Sequence, residues 1–131
     1  YASFSRRLCE KNAQAVGVRN VSFRKGNAVH LDYADETFDF VTSNYVYHNI
    51  SGVNKQDLLL ETLRVLKKSG TFAIHDLMSP GRYGDMEAFR KRLLQMGYQE
   101  VVLLDTSGLW MKPWEAVVYG LKGSTLLYGV K

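Results

Sequence analysis

An α/β fold with a mostly parallel sheet is what this sequence predicts, on three observations. Short apolar or alternating runs at residues 21–25, 38–43, 71–75, 100–105 and 126–130 have the length of strands rather than of helices. Between most of them lie stretches with apolar residues three and four apart, the spacing of one helix face. The 131 residues, 46% hydrophobic and 23% charged, suffice for one domain with one core. Strands alternating with helices imply βαβ units and hence a sheet covered on both faces.

The elements follow in chain order. Phe4, Leu8 and Ala15 share a stripe, with Cys9, Ala13 and Val16 beside it, and Gly17 stops this first helix. Val21-Ser22-Phe23-Arg24-Lys25 alternates at first and ends at Gly26, as a short strand does, and residues 27–37 form a polar connection. Phe38 to Ser43 is the next strand. Asn54 has the chemistry of an N-cap, with Asp57 at the third helical position. Leu59, Leu63 and Leu66 make the apolar stripe of that helix, and Lys67-Lys68-Ser69-Gly70 reads as its stop. Thr71 to His75 is apolar on both faces at its middle, as a buried parallel strand would be. After Ser79-Pro80-Gly81 a third helix runs from Asp85, carrying Met86, Phe89, Leu93 and Met96, and ends at Gly97. Glu100 to Asp105 is a strand, Pro113 opens a short helix to Tyr119, and Leu126 to Val130 is the last strand.

Composition excludes several classes. The single cysteine, Cys9, rules out an internal disulfide and fits a reducing cytoplasm. No apolar run approaches the roughly 18–20 residues that span a bilayer, so no membrane partner is expected. A net charge of +4 and a pI near 9.2 permit a nucleic-acid partner without favouring one. The basic groups Arg6-Arg7, Lys67-Lys68 and Arg90-Lys91-Arg92 sit where helix ends and outer helix faces call for positive charge. His30, His48 and His75 are too dispersed to argue for a metal, and none is assigned.

Ligands of open α/β sheets lie beyond the carboxyl ends of the strands, which selects three groups of residues. Gly26-Asn27-Ala28 follows the first strand: glycine lets a flat ligand approach, and the Asn27 amide suits a purine edge or a plain Asx turn. Ser43 to Asn49 follows the second and is the densest polar and aromatic cluster, in which Tyr45, Tyr47 and His48 either line a pocket or pack on the next helix. Asp76 to Ser79 follows the third, where His75 beside Asp76 reads as a structural histidine. Tyr83, Trp110, Met111 and Trp114 form an apolar wall or else core and interface packing.

These residues carry a resemblance. Val21-x-Phe23-x-x-Gly26-Asn27-Ala28, then Leu31, Asp35-Glu36-x-Phe38-Asp39-x-Val41, and then Glu61-x-x-Arg64-Val65-Leu66-Lys67-Lys68-Ser69-Gly70 resemble the middle of the class I S-adenosylmethionine-dependent methyltransferases. The match covers most of residues 1–78; from 79 onward only the layout is similar. The resemblance implies a Rossmann-like sheet of order 3-2-1-4-5-7-6 with an antiparallel last strand, of which this chain supplies strands three to seven. The family's glycine-rich loop and its acidic ribose ligand belong to the first two strands, and no Gly-x-Gly occurs here. The cofactor site is therefore expected to be half a site, and the chain a fragment that would aggregate, exchange strands or rearrange its sheet.

The resemblance further implies that Gly26, Asn27, Ala28 and Asn44 bind S-adenosylmethionine. Asn27 stands where the family has an aspartate beside the adenine amino group, Ala28 offers its N–H to the ring, and Asn44 sits near the reactive end. Tyr45, Tyr47 and His48 would line the acceptor pocket, with His48 as the catalytic base. Asn44-Tyr45-Val46-Tyr47 is similar to the N-P-P-Y pattern of methyltransferases acting on nucleic acid or protein, but lacks both prolines. A small-molecule acceptor is the expectation, a non-catalytic methyltransferase-like interaction module is the alternative, and a homodimer is compatible with either.

Overall fold

The structure, a computed structural model, describes residues 5–109, 112–118 and 120–131; Phe4, Trp110, Met111 and Tyr119 lie outside the described residues. Helix α1 spans Arg6–Ala15 and is capped by Ser5, whose hydroxyl accepts from the Leu8 N–H. Strand β1 (Phe38–Asn44) leads through a 3-10 turn, Tyr47–Asn49, to α2 (Lys55–Arg64). Strand β2 (Leu66–Leu77), the single turn α3 (Pro80–Tyr83), α4 (Met86–Gln95) and β3 (Glu100–Asp105) follow. Helix α5 (Pro113–Val118) and β4 (Ser124–Val130) complete the chain.

The four strands lie in the order β1-β2-β4-β3. Strand β1 is parallel to β2, with Asn44 opposite His75, whereas β4 runs antiparallel to both β2 and β3. Three strands therefore run one way and the last runs against them. This is the 4-5-7-6 half of the expected order, kept rather than rearranged. β1 has no second strand partner among the described residues, and Phe40 on that edge is 74% exposed.

Helices α2 and α4 cover one face of the sheet. Leu58, Leu59 and Leu63 from α2 and Phe89 and Leu93 from α4 meet Phe72, Ile74, Val101 and Leu127 in one buried cluster. Leu59 and Leu63 are buried on α2 but Leu66, expected on the same stripe, belongs to β2; on α4 Met86, Phe89 and Leu93 are buried and Met96 is exposed. The cap of α2 is the expected one, the Asn54 side chain accepting from the Gln56 N–H, and α4 is capped by Asp85, whose side chain accepts from the Ala88 N–H.

Three expectations are corrected. Val21–Lys25 forms no strand and joins no ladder among the described residues; in the expected order strand three is an edge strand whose one neighbour is strand two. The sheet is covered on one face only among the described residues: Thr71, Ala73 and His75 stay half-exposed, and α1 buries none of its side chains. Lys67-Lys68-Ser69-Gly70 is not a helix stop. α2 ends at Arg64 with Val65 as its cap, and β2 begins at Leu66. The pairing moves from Phe38 opposite Leu66 to Phe40 opposite Thr71, so residues 67–70 bulge out of the ladder. Gly70 is needed there, since a Cβ would lie 2.7 Å from Leu66 Cδ1 and 2.9 Å from the Asp39 carbonyl oxygen.

An ion-pair network pins the polar connection to α2. Glu61 accepts from the Leu31 N–H at 2.8 Å and pairs with Arg64, while Arg64 also donates to the Tyr33 and Leu31 carbonyls and to Asp35. The Arg64 guanidinium holds the Glu61 carboxyl down to about 2, from an ordinary value of 4.5. A depressed carboxyl stabilises the fold above its ordinary value and loses that contribution as pH falls through the folded one. Stability to urea should therefore decline between about pH 4.5 and pH 2, and in Glu61→Gln that decline should be shallower; parallel pH profiles would refute the assignment.

Candidate active site

The carboxyl ends of β1 and β2 lie side by side, and the polar residues gather there. Asn44 ends β1 and is exposed. The next residue, Tyr45, has φ 50°, a left-handed conformation uncommon for anything but glycine. Its N–H still donates to the His75 carbonyl at 2.8 Å, so the chain reverses direction while tied to β2. The 3-10 turn that follows carries Tyr47 and His48 back over the end of the sheet.

Asp76, near the end of β2, is fully buried and organises this corner. Its Oδ2 accepts from the Tyr47 N–H at 2.7 Å and from the His48 N–H at 3.1 Å. Its Oδ1 accepts from the Leu77 N–H at 2.7 Å and meets His48 Nδ1 at 2.5 Å. Burial by itself would raise the Asp76 pKa; the Leu77 and His48 hydrogen bonds outweigh it and hold the carboxyl below its ordinary value. An ionised carboxylate accepting at Nδ1 places the proton of a neutral imidazole on that nitrogen and leaves Nε2 as the lone-pair atom. The His48 side chain is 17% exposed, while the Asp76 carboxylate is fully buried.

The other sequence-predicted residues divide. Tyr45 stands with His48, their ring centroids 6.3 Å apart and edge to face. Tyr47 is buried, its hydroxyl 2.5 Å from Thr62 Oγ1; it is part of the core, and with Thr62 it borders a cavity that Leu31, Phe38 and Val65 also line. Tyr83 is likewise buried, with its hydroxyl lacking a hydrogen-bond partner and its pKa raised by burial and by the Asp76 charge. Trp114 is exposed.

Gly26, Asn27 and Ala28 lie on the connection ahead of β1, and no hydrogen bond among the described residues ties them to Asn44. The Asn27 side chain closes an Asx turn, accepting from the Val29 N–H at 3.0 Å, and its amide nitrogen is left unengaged among the described residues. The space where a Gly26 Cβ would stand is open to 4 Å, Ala28 packs against the core, and its N–H has no partner among the described residues. An open approach, a free backbone donor and a neutral carboxamide suit the edge of an adenine, so these residues fit the nucleoside end of S-adenosylmethionine.

Asp76 is the residue that sequence reasoning left without a role. The available signal was an acidic residue at the end of a strand-forming run, next to His75, a position that burial tolerates only when partners are supplied. Among the described residues no group of three His, Cys, Asp or Glu could hold a metal, and no helix is long and apolar enough to cross a membrane.

Comparison with known proteins adds a family. The one described as "Methyltransferase domain" matches residues 3–74. The chain is 41% identical over 68 residues to the uncharacterized methyltransferase YcgJ of Bacillus subtilis (strain 168), covering 52% of this chain and 26% of that protein. It is 37% identical over 71 residues to a demethylmenaquinone methyltransferase of Alkalihalophilus pseudofirmus, covering 54% of this chain and 29% of that protein. The matched stretches thus span less than a third of those relatives' lengths. The crystal structure of YcgJ from Bacillus subtilis superposes with a TM-score of 0.58 and 18% identity, over 96% of this chain and 77% of that one. At that identity the likeness concerns the fold, which is the Rossmann-like α/β arrangement of methyltransferases.

Proposed function

Because the chain belongs to the methyltransferase domain family, with residues 3–74 of 131 matched, we propose that it takes part in S-adenosylmethionine-dependent methyl transfer to a small-molecule acceptor. The observation that carries this reading is the His48–Asp76 pair at the carboxyl ends of β1 and β2, where α/β sheets hold their ligands. Ala28 and Asn27 would hold the adenine, the open space at Gly26 would admit it, and Asn44 would stand near the reactive end. The cofactor, when bound, supplies an activated methyl group, so the chain's own task is alignment, exclusion of water and handling of a proton. His48 fits the last task, because Asp76 fixes its ring and directs Nε2 away from the buried carboxylate. Tyr45 beside it gives the acceptor side an aromatic wall. That wall, and the name of the demethylmenaquinone relative, favour a small aromatic acceptor over a nucleic acid. The lone Cys9 suits a reducing cytoplasm, and a homodimer is compatible with the open edge of β1.

The test is calorimetric titration of S-adenosylhomocysteine into the 131-residue chain and its Asn44→Ala variant. Saturable binding is expected, weakened about fivefold or more by losing one polar contact. A folded chain that takes up none would overturn the reading in favour of a non-catalytic module that keeps the sheet as an interaction surface.

A further inference from the structure

On the other face of β2 from Asp76 lies a second polar cluster that methyl transfer as described does not use. His75 Nε2 is 2.7 Å from Thr106 Oγ1 and 3.0 Å from Ser124 Oγ, and these two hydroxyls are 2.9 Å apart. The Tyr45 hydroxyl joins the cluster at 2.6 Å from Ser124 Oγ. Four residues from four separate places in the chain are involved: the end of β1, the end of β2, the end of β3 and the start of β4. Ser124 is buried, and the other three are half-buried.

Tyr45 reaches this cluster against the alternation of its strand. The register sets Asn44 opposite His75, so the next residue would by alternation face the helix-covered side. The left-handed φ of Tyr45 breaks that alternation, and its hydroxyl meets Ser124 on the side of His75. Such a conformation is strained in a bulky residue and persists where its surroundings impose it. The Tyr45 ring stacks at a tilt on His75, with centroids 4.7 Å apart, and its edge contact with His48 places it between the two imidazoles.

We propose that Tyr45, Ser124, Thr106 and His75 form a proton relay headed by the Tyr45 phenol, serving an acceptor that carries a protic hydroxyl or amine next to the atom facing His48. This rests on the methyl-transfer reading above. Each hydroxyl has one proton to give, and the distances allow each to be given once: Tyr45 to Ser124, Ser124 to Thr106, Thr106 to Nε2 of His75. When the acceptor's X–H bond breaks, its electron pair stays on X and its proton goes to the Tyr45 oxygen. The phenol's own proton moves to Ser124 Oγ, the serine's to Thr106 Oγ1, and the threonine's to His75, which becomes an imidazolium. The relay resets in reverse by releasing one proton, with no oxidation or reduction. His48 offers no such path, because its Nδ1 ends on a buried carboxylate. The titratable groups that meet His75 are Tyr45 and, beyond that ring, His48; β3 and β4 bring neutral hydroxyls to its Nε2.

The relay has a signature that packing alone lacks: protonating His75 must reverse every hydrogen bond up to the phenol. The 131-residue chain, labelled with carbon-13 at tyrosine Cζ and histidine Cε1, would be followed by NMR between about pH 5 and 8, where imidazoles change charge. The Tyr45 Cζ shift should follow the His75 titration. In Ser124→Ala, which removes the one hydroxyl that meets both Tyr45 and His75, and in Ser124→Gly should the alanine variant fail to fold, the Tyr45 response should be lost. His48 lies outside the relay, so a response tracking His48 survives both variants and is abolished by His48→Gln. A Tyr45 shift that stays flat in the parent chain, follows His48, or still follows His75 in the cut variants overturns the relay. S-adenosylhomocysteine titrated into the same samples separates the two proposals. Coupled titration without cofactor binding supports the relay and removes its methyl acceptor, whereas cofactor binding with uncoupled titration overturns the relay alone.

Discussion

Asp76→Asn should destabilise the chain by about 2–6 kcal/mol, since each of at least two buried donors left without an acceptor costs about 1–3 kcal/mol. The carboxylate accepts from three backbone N–H groups and sits against His48 Nδ1 with no access to water. Asparagine keeps one acceptor oxygen and turns an NH2 toward the remaining donors, so two or more buried donors lose their partner. The damage should be local as well as global, because the Tyr47–Asn49 turn hangs from this side chain. Urea unfolding of the variant, read by the midpoint and slope together, gives the number. A loss below about 1 kcal/mol would mean that Asp76 is not what holds the turn. His48→Gln should cost less, since the backbone donors keep their acceptor.

Gly129→Ala should be comparably severe for a different reason. Gly129 is the penultimate residue of β4, opposite Phe72 on β2 and Val101 on β3. A Cβ there would overlap the Glu100 carbonyl oxygen and stand 2.7 Å from its carbonyl carbon and 3.1 Å from Val101 Cα. Those atoms are backbone, so no side chain can turn aside, and β3 must move away from β4. Overpacking of this kind costs typically 1–3 kcal/mol and more where backbone must shift; about 3 kcal/mol or above is expected from denaturation. Alanine accepted with a loss under about 1 kcal/mol would show that the two strands can part cheaply.

How far the sequence could be read follows from the range of the interactions involved. Glu100–Asp105 was legible to the residue because a four-residue apolar run between polar ends is local information. The helix from Met86 was legible too, since Met86, Phe89 and Leu93 are its buried stripe and Asp85 its cap. The bulge at 67–70 was not, because it is created by the pairing of Phe38 and Phe40 some thirty residues earlier in the chain. The short α3 turn was hidden behind a Ser-Pro-Gly break that also reads as loop. At the site, His48 and Tyr45 stood out as polar and aromatic residues after a strand. What binds each of them comes from Asp76 and Ser124, 28 and 79 residues away, and local spacing carries no trace of either.

Residues 17–27 leave all but Phe23 exposed, so a nucleoside gripped at Asn27 would have to fix a stretch of chain that the core does not hold. Fixing one residue's backbone costs roughly 1–2 kcal/mol of conformational entropy. Affinity at that end is then governed by how much order the ligand must impose, more than by the contacts it makes once seated. Stiffening the stretch would tighten binding without touching the ligand, and loosening it would weaken binding with every contact residue intact.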